Sequence, residues 1–507
     1  MASKNSSYRY RQECENIEMF KDLNDFISRL ETRKELHRIT VEVDPYLEMG
    51  AIADKIMKSP KGGSAILFEK PKGHTIPVLM NMYGSAHRIQ LALGVDQEPR
   101  GLNAIADRIK QLIQEAMPKQ GTSLLDKIAK LPLLAEVNGW MPRTVSTGAC
   151  QEIIYRGTEA SLDLLPILTT WPEDGGPYIT FGMSHTKNKQ TGHRNTGLYR
   201  LQKKSAHRLG FHTQLHHDGA RNRHGYDREE KMPVAISLGG DPCLLFSASA
   251  PLPPFLSEMM FAGFLRREGV GLVKCITQDL EVPADSEIVI EGYVNPGEKE
   301  IEGPFGDHTG YYSLADQYPV IHVTAITMKR NPIFPATIVG RPPMEDTYLG
   351  LATERIFLPL LQMVHPEIKD MHLPSFGAFH NLVIVSLKKE FPGHPQKVMN
   401  AIWGTGQLMF SKCVVVVDED INVSDLGEVL FRVTSNVDPK RDLLFSDGPL
   451  DALDHSADRF AFGSKVGIDA TRKNSVHDNF KREWPKDLSF PKEIEMRVKQ
   501  RWSDYGF

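Results

Sequence analysis

Apolar positions in the first hundred residues recur first at helical spacing and then alternate, which predicts a small α/β unit. The apolar face of the first predicted helix consists of Phe20, Leu23, Phe26, Ile27 and Leu30. HRITVEV (37–43) then alternates as a half-buried strand does, because successive side chains of a strand point to opposite faces. A second helix is predicted over 47–57 and a second strand over 65–69, and residues 101–134 are predicted to be mostly helical.

The pattern changes twice further along the chain. From about 140 to 330, short apolar runs are separated by Gly, Pro and Asn turns, which predicts a barrel or a sandwich. These runs are VAISLGG (234–240), EIVIEGYV (287–294) and PVIHVTAIT (319–327). From about 335 onward, strands and helices alternate, as around a buried parallel or mixed sheet. The predicted elements are LVIVSLK (382–388), a helix near 395–403, CVVVVD (413–418), a helix near 426–435 and a terminal helix over 492–502.

The chain has 507 residues, which is too long for one ordinary hydrophobic core and predicts two or three domains. We therefore predict a mixed α/β (α+β) protein. Its predicted parts are a polar N-terminal extension (1–19), an N-terminal α/β region (20–125), a central β-barrel-like domain (126–330) and a C-terminal α/β domain with a terminal helix (331–507).

Composition narrows the class of protein. The formal net charge of -4 argues against a dedicated nucleic-acid binder. The five cysteines form no CxxC pair, which is typical of a reducing cytosol and indicates neither a disulfide framework nor a zinc knuckle. The polar N-terminus has no signal-peptide pattern, and no run of about 18 apolar residues predicts a membrane span. We expect a cytoplasmic enzyme with at most peripheral membrane association.

Familiar nucleotide and hydrolase motifs are absent from the sequence. It contains no GxGxxG after a strand, no GxxxxGK[ST], no HExxH and no GxSxG. A phosphate-bearing cofactor would therefore have to be held by another kind of loop.

The segment IEGPFGDHTG (301–310) places two carboxylates, Glu302 and Asp307, on a loop rich in Gly and Pro. Gly and Pro have low propensity for a helix or a regular strand. The loop is suited either to proton chemistry or simply to a sharp turn of the chain.

A second candidate is RNTGLYR (194–200), in which Asn195 and Arg200 flank Gly197. Positions five apart on a regular strand face opposite sides, so both reach one site only if Gly197 allows a bulge or a twist. The alternative is an edge strand with exposed polar ends.

Candidate metal ligands come from two further stretches. FHTQLHHDGA (211–220) has three histidines, although most such histidines are surface residues. Glu258 follows a Pro-rich loop at the start of a predicted helix, where a carboxylate is also favourable on dipole grounds alone. Asn195, one of the histidines and Glu258 would together form a mostly hard ligand set, which suits Mn²⁺ or Mg²⁺ at a phosphate better than tetrahedral zinc.

In this order, these pieces resemble the UbiD family of decarboxylases, which use prenylated flavin mononucleotide (prenylated FMN). The resemblance runs from about residue 20 to 485 and is closest to the 4-hydroxy-3-polyprenylbenzoate decarboxylases of ubiquinone biosynthesis. The matching stretches are WPEDGGPYIT (171–180), RNTGLYR, the helix after PLPPFLSE, LEVPADSEIVIEGYV (280–294), EGPFGDHTGYY (302–312), GRPPMED (340–346) and GSKVGIDAT (463–471). EGPFGDHTGYY is the most specific of them.

The resemblance implies roles for individual residues. The metal ligands would be Asn195, His216 and Glu258, the catalytic residues would be Arg200, Glu302 and Asp307, and Asp307 would be the proton donor. Cofactor contacts would come from Leu198, Tyr199, Arg200, His212, Thr213, Gln214, His217 and Asp218. The central domain would bind prenylated FMN together with Mn²⁺ or Mg²⁺, with K⁺ as a further possible ion.

One departure from the family pattern concerns the phosphate. Where the family's members closest to this chain have an arginine and a glycine after the metal histidine, this chain has His217 and Asp218. A neutral histidine beside an aspartate is a weaker anion ligand than arginine. The difference loosens the assignment to the ubiquinone subgroup and is compatible with another aromatic acid.

The resemblance also implies a mechanism and partners. Arg200 would bind the carboxylate of an aromatic acid, and Asp307 would return a proton, with burial and the neighbouring Glu302 raising the pKa of Asp307. A flavin prenyltransferase would supply the cofactor, and the C-terminal domain would form a homo-oligomer. The alternative substrates are a dihydroxynaphthoate of menaquinone synthesis or another hydroxybenzoate, in either reaction direction. The rival functions are a Mn²⁺-dependent hydrolase or lyase without flavin, and a non-catalytic subunit that binds prenylated FMN.

Overall fold

The structure is a computed structural model that describes residues 19–116, 131–213, 225–227, 230–252 and 256–507. Its architecture is mixed α/β, as predicted, and contains a closed antiparallel barrel in its central part. Within the described ranges, no helix is long and apolar enough to cross a membrane.

The N-terminal part forms the predicted α/β unit. Its elements are α1 (Leu23–Thr32), β1 (Leu36–Val43), α2 (Glu48–Met57), β2 (Ala65–Pro71), β3 (Val78–Met80), α3 (Ala86–Ala92) and α4 (Leu102–Ala116). Asp22 caps α1 by accepting a hydrogen bond from the backbone N–H of Asp25 at 3.1 Å. All five apolar residues predicted to form one face of this helix are buried. The part of the predicted 101–134 helical segment between 117 and 130 lies outside the described residues.

The central part is the predicted β-rich domain. Its elements are α5 (Leu131–Trp140), β4 (Arg143–Val145), β5 (Ile153–Arg156), β6 (Tyr178–Lys187), β7 (Arg194–Ser205), β8 (Arg208–Phe211), β9 (Met232–Leu238), α6 (Pro242–Ser249), α7 (Glu258–Arg266), β10 (Gly271–Lys274), β11 (Glu281–Pro283), β12 (Ile288–Glu302), β13 (Phe305–Gly306), β14 (Tyr312–Ser313) and β15 (Asp316–Met328). Six strands pair in the order β12-β9-β6-β7-β8-β15, and β12 also pairs with β15. This last pairing closes the barrel, so the prediction of a barrel is confirmed.

The barrel encloses an apolar core that continues into the N-terminal sheet. Every barrel strand contributes side chains with no exposed surface, among them Ile179, Leu201, Leu209, Ile236, Ile290 and Ile321. Phe68 and Val78 of the N-terminal sheet belong to the same cluster. The strands that carry the candidate site residues are therefore fixed on both sides by packing and by hydrogen bonds.

The C-terminal part contains the predicted mixed sheet. Its elements are β16 (Phe334–Pro335), α8 (Asp346–Val364), β17 (Ile368–His372), β18 (Leu382–Leu387), α9 (His394–Trp403), β19 (Cys413–Asp418), α10 (Leu426–Asn436), α11 (Pro439–Asp442), β20 (Leu443–Pro449), β21 (Phe462–Asp469) and α12 (Lys492–Gln500). Strand β16 returns to the N-terminal sheet beside β3. The others form the sheet β17-β18-β19-β21-β20, in which β18, β19 and β21 are parallel.

Candidate active site

Arg200 joins the two acids of the predicted loop into one buried network. Its Nε and Nη2 atoms donate to the two carboxylate oxygens of Glu302, each at 3.0 Å. Nη1 donates to Asp307 Oδ2, and Nη2 also donates to Ser313 Oγ at 3.1 Å. The guanidinium carbon lies 4.7 Å above the ring centre of Phe305. The side chain of Glu302 has no exposed surface and that of Arg200 has only 9%, so the network is shielded from water.

His212 completes the hydrogen bonding of Glu302. Its Nδ1 atom lies 3.0 Å from Glu302 Oε2, and its ring stacks on Tyr318 at 4.2 Å between centres. Burial lowers the pKa of His212, which favours a neutral ring that donates through Nδ1. Burial alone would raise the pKa of Glu302, but His212 and Arg200 outweigh it and lower the pKa to about 2. Glu302 is therefore a permanent anion that holds Arg200 in place.

The pKa of Asp307 is lowered, whereas the sequence predicted a raised pKa. Burial does raise its pKa, but the hydrogen bond and charge of His308 outweigh burial, and Arg200 adds to them. The pKa of Asp307 is consequently held well below its usual value, and the expectation is wrong for this arrangement. The reason is that the sequence did not reveal His308 as a partner: its backbone N–H and Nδ1 atom both lie within 2.9 Å of Asp307 Oδ1.

The acidic loop is held by the WPEDGG segment that precedes β6. Asp174 accepts the backbone N–H of Gly306 at 2.8 Å, and the Gly175 N–H donates to the carbonyl of Pro304 at 2.7 Å. The peptide between Gly303 and Pro304 is cis. Trp171 lies against the loop and donates its indole N–H to the carbonyl of Val339 at 2.8 Å. These contacts fix the loop that carries both acids.

Gly306→Ala tests how tightly the loop fits. A Cβ atom at Gly306 would lie 2.2 Å from Cδ1 of Trp171, a contact that only a shift of the ring or of the loop can relieve. We expect a loss of about 1–3 kcal/mol in the free energy of unfolding, as for other overpacked sites. Denaturant unfolding measures this loss. Gly297→Ala, on β12, is the control, because its Cβ would meet nothing within 4 Å; equal stability of the two variants would contradict the tight fit.

Two of the three predicted metal ligands line one small cavity. Asn195 and Glu258 both face a cavity of about 40 Å³, together with His185 and Glu281. Glu258 Oε2 accepts the backbone N–H of Thr196 at 3.0 Å. The third predicted ligand, His216, lies outside the described residues. Among those that are described, no group of three or more His, Cys, Asp and Glu side chains is placed to hold a metal.

Unpartnered polar atoms at the predicted positions fit a bound group. Asn195 Nδ2 and Thr213 Oγ1 are both buried, and neither has a hydrogen-bond partner among the described residues. Buried polar atoms normally have partners, so these two atoms are suited to a bound group. The Asn195 N–H and the Thr213 hydroxyl can donate to a phosphate, whereas the amide oxygen of Asn195 and the carboxylate of Glu258 are ligands suited to a hard cation. The residues present therefore fit the predicted metal and cofactor.

The remaining predicted cofactor contacts fall into three groups. Leu198 is half-buried and packs against the apolar cluster of α7, whereas the buried ring of Tyr199 meets Phe211 edge-on at 5.3 Å and is part of the core. His212 and Thr213 directly follow β8. The predicted contacts Gln214, His217 and Asp218 lie outside the described residues.

The structure also corrects the interpretation of RNTGLYR. The pairing of β7 with β6 is continuous from Asn195 to Tyr199, so Gly197 makes no bulge. The irregularity lies on β6 instead, between Ile179 and Gly182, opposite Arg200. As a result, Asn195 and Arg200 belong to two separate clusters: the cavity with Glu258 and the network with the two acids.

Sequence reasoning missed several partners of the site. His308 and Asp174 lie within stretches that carried the resemblance and Ser313 directly follows one of them, so their polar side chains were the available signal. His380 had no local signal, because its contact with the site joins residues 72 positions apart.

Comparisons with known proteins cover most of the chain. Three family models match: the 3-octaprenyl-4-hydroxybenzoate carboxy-lyase N-terminal domain over 27–109, its Rift-related domain over 143–342 and its C-terminal domain over 347–470. An uncharacterized protein of Aquifex aeolicus is 48% identical over 491 residues, which is 96% of this chain and 99% of that protein.

Solved structures share the fold along almost the whole chain. The closed form of vanillic acid decarboxylase from Sedimentibacter hydroxybenzoicus has a TM-score of 0.81 at 28% identity, covering 95% of this chain and 99% of that one. An evolved dimeric form of the UbiD-class enzyme HmfF from Pelotomaculum thermopropionicum, in complex with prFMN, has a TM-score of 0.74 at 29% identity, covering 95% and 100%.

Proposed function

The chain belongs to the UbiD family and has the fold of its decarboxylases, and from this premise we propose that it removes or adds CO₂ on an aromatic carboxylic acid with prenylated FMN and a divalent metal. The observation that carries the proposal is the buried network of Arg200, Glu302 and Asp307. A cation held between two anions is suited to exchanging one of them for a substrate carboxylate.

Each residue of the network has a defined task. Arg200 binds and orients the substrate carboxylate, a task for which its planar fork is suited. Glu302 holds Arg200 through two hydrogen bonds and is itself held by His212. Asp307 delivers a proton to the carbon that loses CO₂. When bound, prenylated FMN supplies the electron sink that no side chain can provide.

The metal and the cofactor phosphate would be held in the separate cavity lined by Asn195 and Glu258. Asn195, Glu258 and the predicted ligand His216 would bind Mn²⁺ or Mg²⁺, which neutralises the cofactor phosphate. Thr213 would donate its unpartnered hydroxyl to the cofactor. A flavin prenyltransferase would supply the cofactor, and the dimeric HmfF structure supports a homo-oligomer as the working form.

Glu258→Gln is expected to lower the affinity for Mn²⁺ by on the order of 10²-fold, because an anionic ligand becomes neutral. Metal content after dialysis and calorimetric titration with Mn²⁺ measure the loss. Glu281→Gln is the matched control: Glu281 lines the same cavity but pairs with Arg194 and accepts a hydrogen bond from Thr144 at 3.2 Å. Retention of wild-type affinity by Glu258→Gln would remove Glu258 from the metal site.

The substrate is proposed to be a hydroxylated aryl acid. Support comes from the structural similarity to vanillic acid decarboxylase and from the family's carboxy-lyase description. A polyprenylated 4-hydroxybenzoate of quinone biosynthesis is the first candidate within this class, and a dihydroxynaphthoate or a simpler hydroxybenzoate is the second.

The test is turnover of a panel of aryl acids by protein co-expressed with a flavin prenyltransferase. Release of CO₂ from a hydroxyaryl acid, together with a flavin-like absorbance spectrum, is the expected result. Turnover without that spectrum would favour a flavin-free metal enzyme. Full cofactor loading without turnover of any acid, in either direction, would favour a non-catalytic subunit and overturn the proposal.

A further inference from the structure

His308 and His380 extend the acid network toward the C-terminal domain. His308 Nδ1 lies 2.9 Å from Asp307 Oδ1, and His308 Nε2 lies 3.0 Å from His380 Nε2. His380 Nδ1 in turn lies 3.1 Å from the side-chain oxygen of Asn381. His380 and Asn381 precede β18, so this row of groups crosses from the loop of the central domain to the C-terminal sheet.

The hydrogen bonds require one extra proton on the histidine pair. Because the Asn381 oxygen only accepts, His380 carries a proton on Nδ1. The Asp307 carboxylate likewise accepts from the Nδ1–H of His308, so the Nε2–Nε2 contact is a hydrogen bond only when one of the two rings is an imidazolium. The surrounding groups decide which ring carries the charge.

The surrounding acids favour the charged form of His308. Burial by itself lowers the pKa of His308, but Asp307 raises it, Asp346 and Asp451 add to the effect, and the pKa reaches about 9. These acids come from the loop itself, from α8 and from the segment after β20. Arg200, also bonded to Asp307, is the opposing cation on that side.

The pKa of His380 is shifted in the opposite direction from that of His308. Burial and the neighbouring His308 charge lower its pKa to about 4, while Asp451 and Asp454 work against this shift. A neutral His380 accepts through Nε2 from His308, so the positive charge of the pair lies on His308. The two histidines therefore have separate roles: His308 holds the extra proton, and His380 fixes the direction in which His308 donates it.

We propose that His308 stores the proton that Asp307 delivers to the carbon of the departing carboxylate, so that it is a positioning residue acting on the substrate only through Asp307. The inference rests on the proposed function. An ionised Asp307 has no proton to give, and His308 is a charged donor in direct contact with it.

The proposed proton transfer consumes one proton from solvent and needs no other co-reactant. When Arg200 turns to the substrate carboxylate, Asp307 loses part of the charge that keeps it ionised. The His308 Nδ1–H bond breaks and an O–H bond forms on Asp307. The Asp307 O–H bond then breaks as a C–H bond forms, with the electron pair coming from the broken bond to CO₂. His308 is left neutral, and one proton from solvent restores it, which matches the one proton that decarboxylation consumes.

The first test uses cofactor-free protein and does not depend on turnover. Protein labelled with ¹⁵N-histidine is titrated by NMR, and His308→Asn identifies the His308 signals by their loss. We expect His308 to stay cationic past pH 8 and to titrate at lower pH in Asp307→Asn, because the facing anion is then removed. A neutral His308 ring at pH 7 overturns the proposal, whatever the enzyme's substrate proves to be.

The second test uses the loaded enzyme. The Asn side chain in His308→Asn can still donate to Asp307 but has no titratable proton. We expect kcat to fall on the order of 10²-fold with little change in KM, and the high-pH limb of the wild-type kcat profile, near pH 9, to disappear. His322→Asn, which alters a separate His–Glu pair, is the control and keeps the wild-type profile.

The outcomes separate the two proposals. Wild-type kcat and an unchanged pH profile in His308→Asn overturn the role of His308 while the decarboxylase assignment stands. Absence of turnover by the loaded wild-type enzyme overturns the proposed function, and the NMR titration still decides whether His308 holds the proton.

Discussion

Asp307→Asn should reduce kcat by roughly 10²–10⁴-fold, the usual size of a general-acid contribution. The amide has nearly the same shape as the acid, and its oxygen can still accept a hydrogen bond from Arg200 or from His308, but it has no acidic proton. We therefore expect the variant to fold and to retain its prenylated FMN and metal. Steady-state CO₂ release, absorbance spectra and metal analysis of the same preparation measure these three properties.

The control for this experiment is Asp316→Asn, which removes an exposed carboxylate at the start of β15. Its rate should equal that of the wild type. If loaded Asp307→Asn decarboxylates at the wild-type rate, Asp307 is not the proton donor, and another group has to be sought at the same end of the barrel.

Arg200→Ala is expected to have the second large effect, on stability as well as activity. It leaves the buried carboxylates of Glu302 and Asp307 without the cation between them. Removing one partner of such a buried pair costs about 3–5 kcal/mol in the free energy of unfolding. Turnover should be lost as well, because nothing then orients the substrate carboxylate. Arg200→Lys should recover part of the stability but little of the rate, since lysine cannot form the paired hydrogen bonds.

The stability loss in Arg200→Ala should also depend on pH. Glu302 has a folded-state pKa of about 2, compared with an ordinary value of 4.5. A lowered acid pKa stabilises the fold above the ordinary value, and this stabilisation is lost as the pH falls through the folded value. The difference in unfolding free energy between wild type and variant should therefore be largest near neutral pH and shrink between pH 4.5 and 2.

Denaturant titrations at several pH values test this dependence. Arg208→Ala is the matched control, because it removes an arginine of the neighbouring strand that pairs with Glu300 at the surface. Such surface pairs contribute about 0–1 kcal/mol. A stability loss in Arg200→Ala as small as that of the control would contradict the buried network.

Sequence patterns predicted the helices and strands well, because an element that buries one face has apolar residues at regular spacing along the chain. Four of the five apolar residues predicted for the first helix lie in α1, with Phe20 buried just before it, and the run CVVVVD forms β19 as predicted. The two acids were found because Gly and Pro around them indicated a sharp turn, although Glu302 is the last residue of β12 and Phe305–Gly306 forms the short strand β13. The β-rich central domain was within reach too, since short apolar runs separated by turns are typical of a barrel or a sandwich and differ from the pattern of a doubly wound sheet.

The pKa of Asp307 could not be predicted in the same way. It depends on His308 and Arg200, and the charge of His308 depends on His380, whose position is set by packing of the C-terminal domain. The register shift opposite Arg200 could not be predicted either. It lies on β6, and the residues of β6 contain no pattern that indicates a bulge. Local patterns identify which residues face inward, whereas contacts between distant segments decide their charge.

Barrel closure has a mechanical consequence for the network. In the six-stranded barrel, β7 and β12 are three strands apart in either direction. The Arg200–Glu302 ion pair therefore links strands on opposite sides of the barrel. A closed ring has no edge strand that can peel away first. The Arg200–Glu302 ion pair should therefore break only when the whole barrel unfolds. We expect the backbone amide hydrogens of β7 and β12 to exchange with solvent slowly and at the same rate, as one cooperative unit.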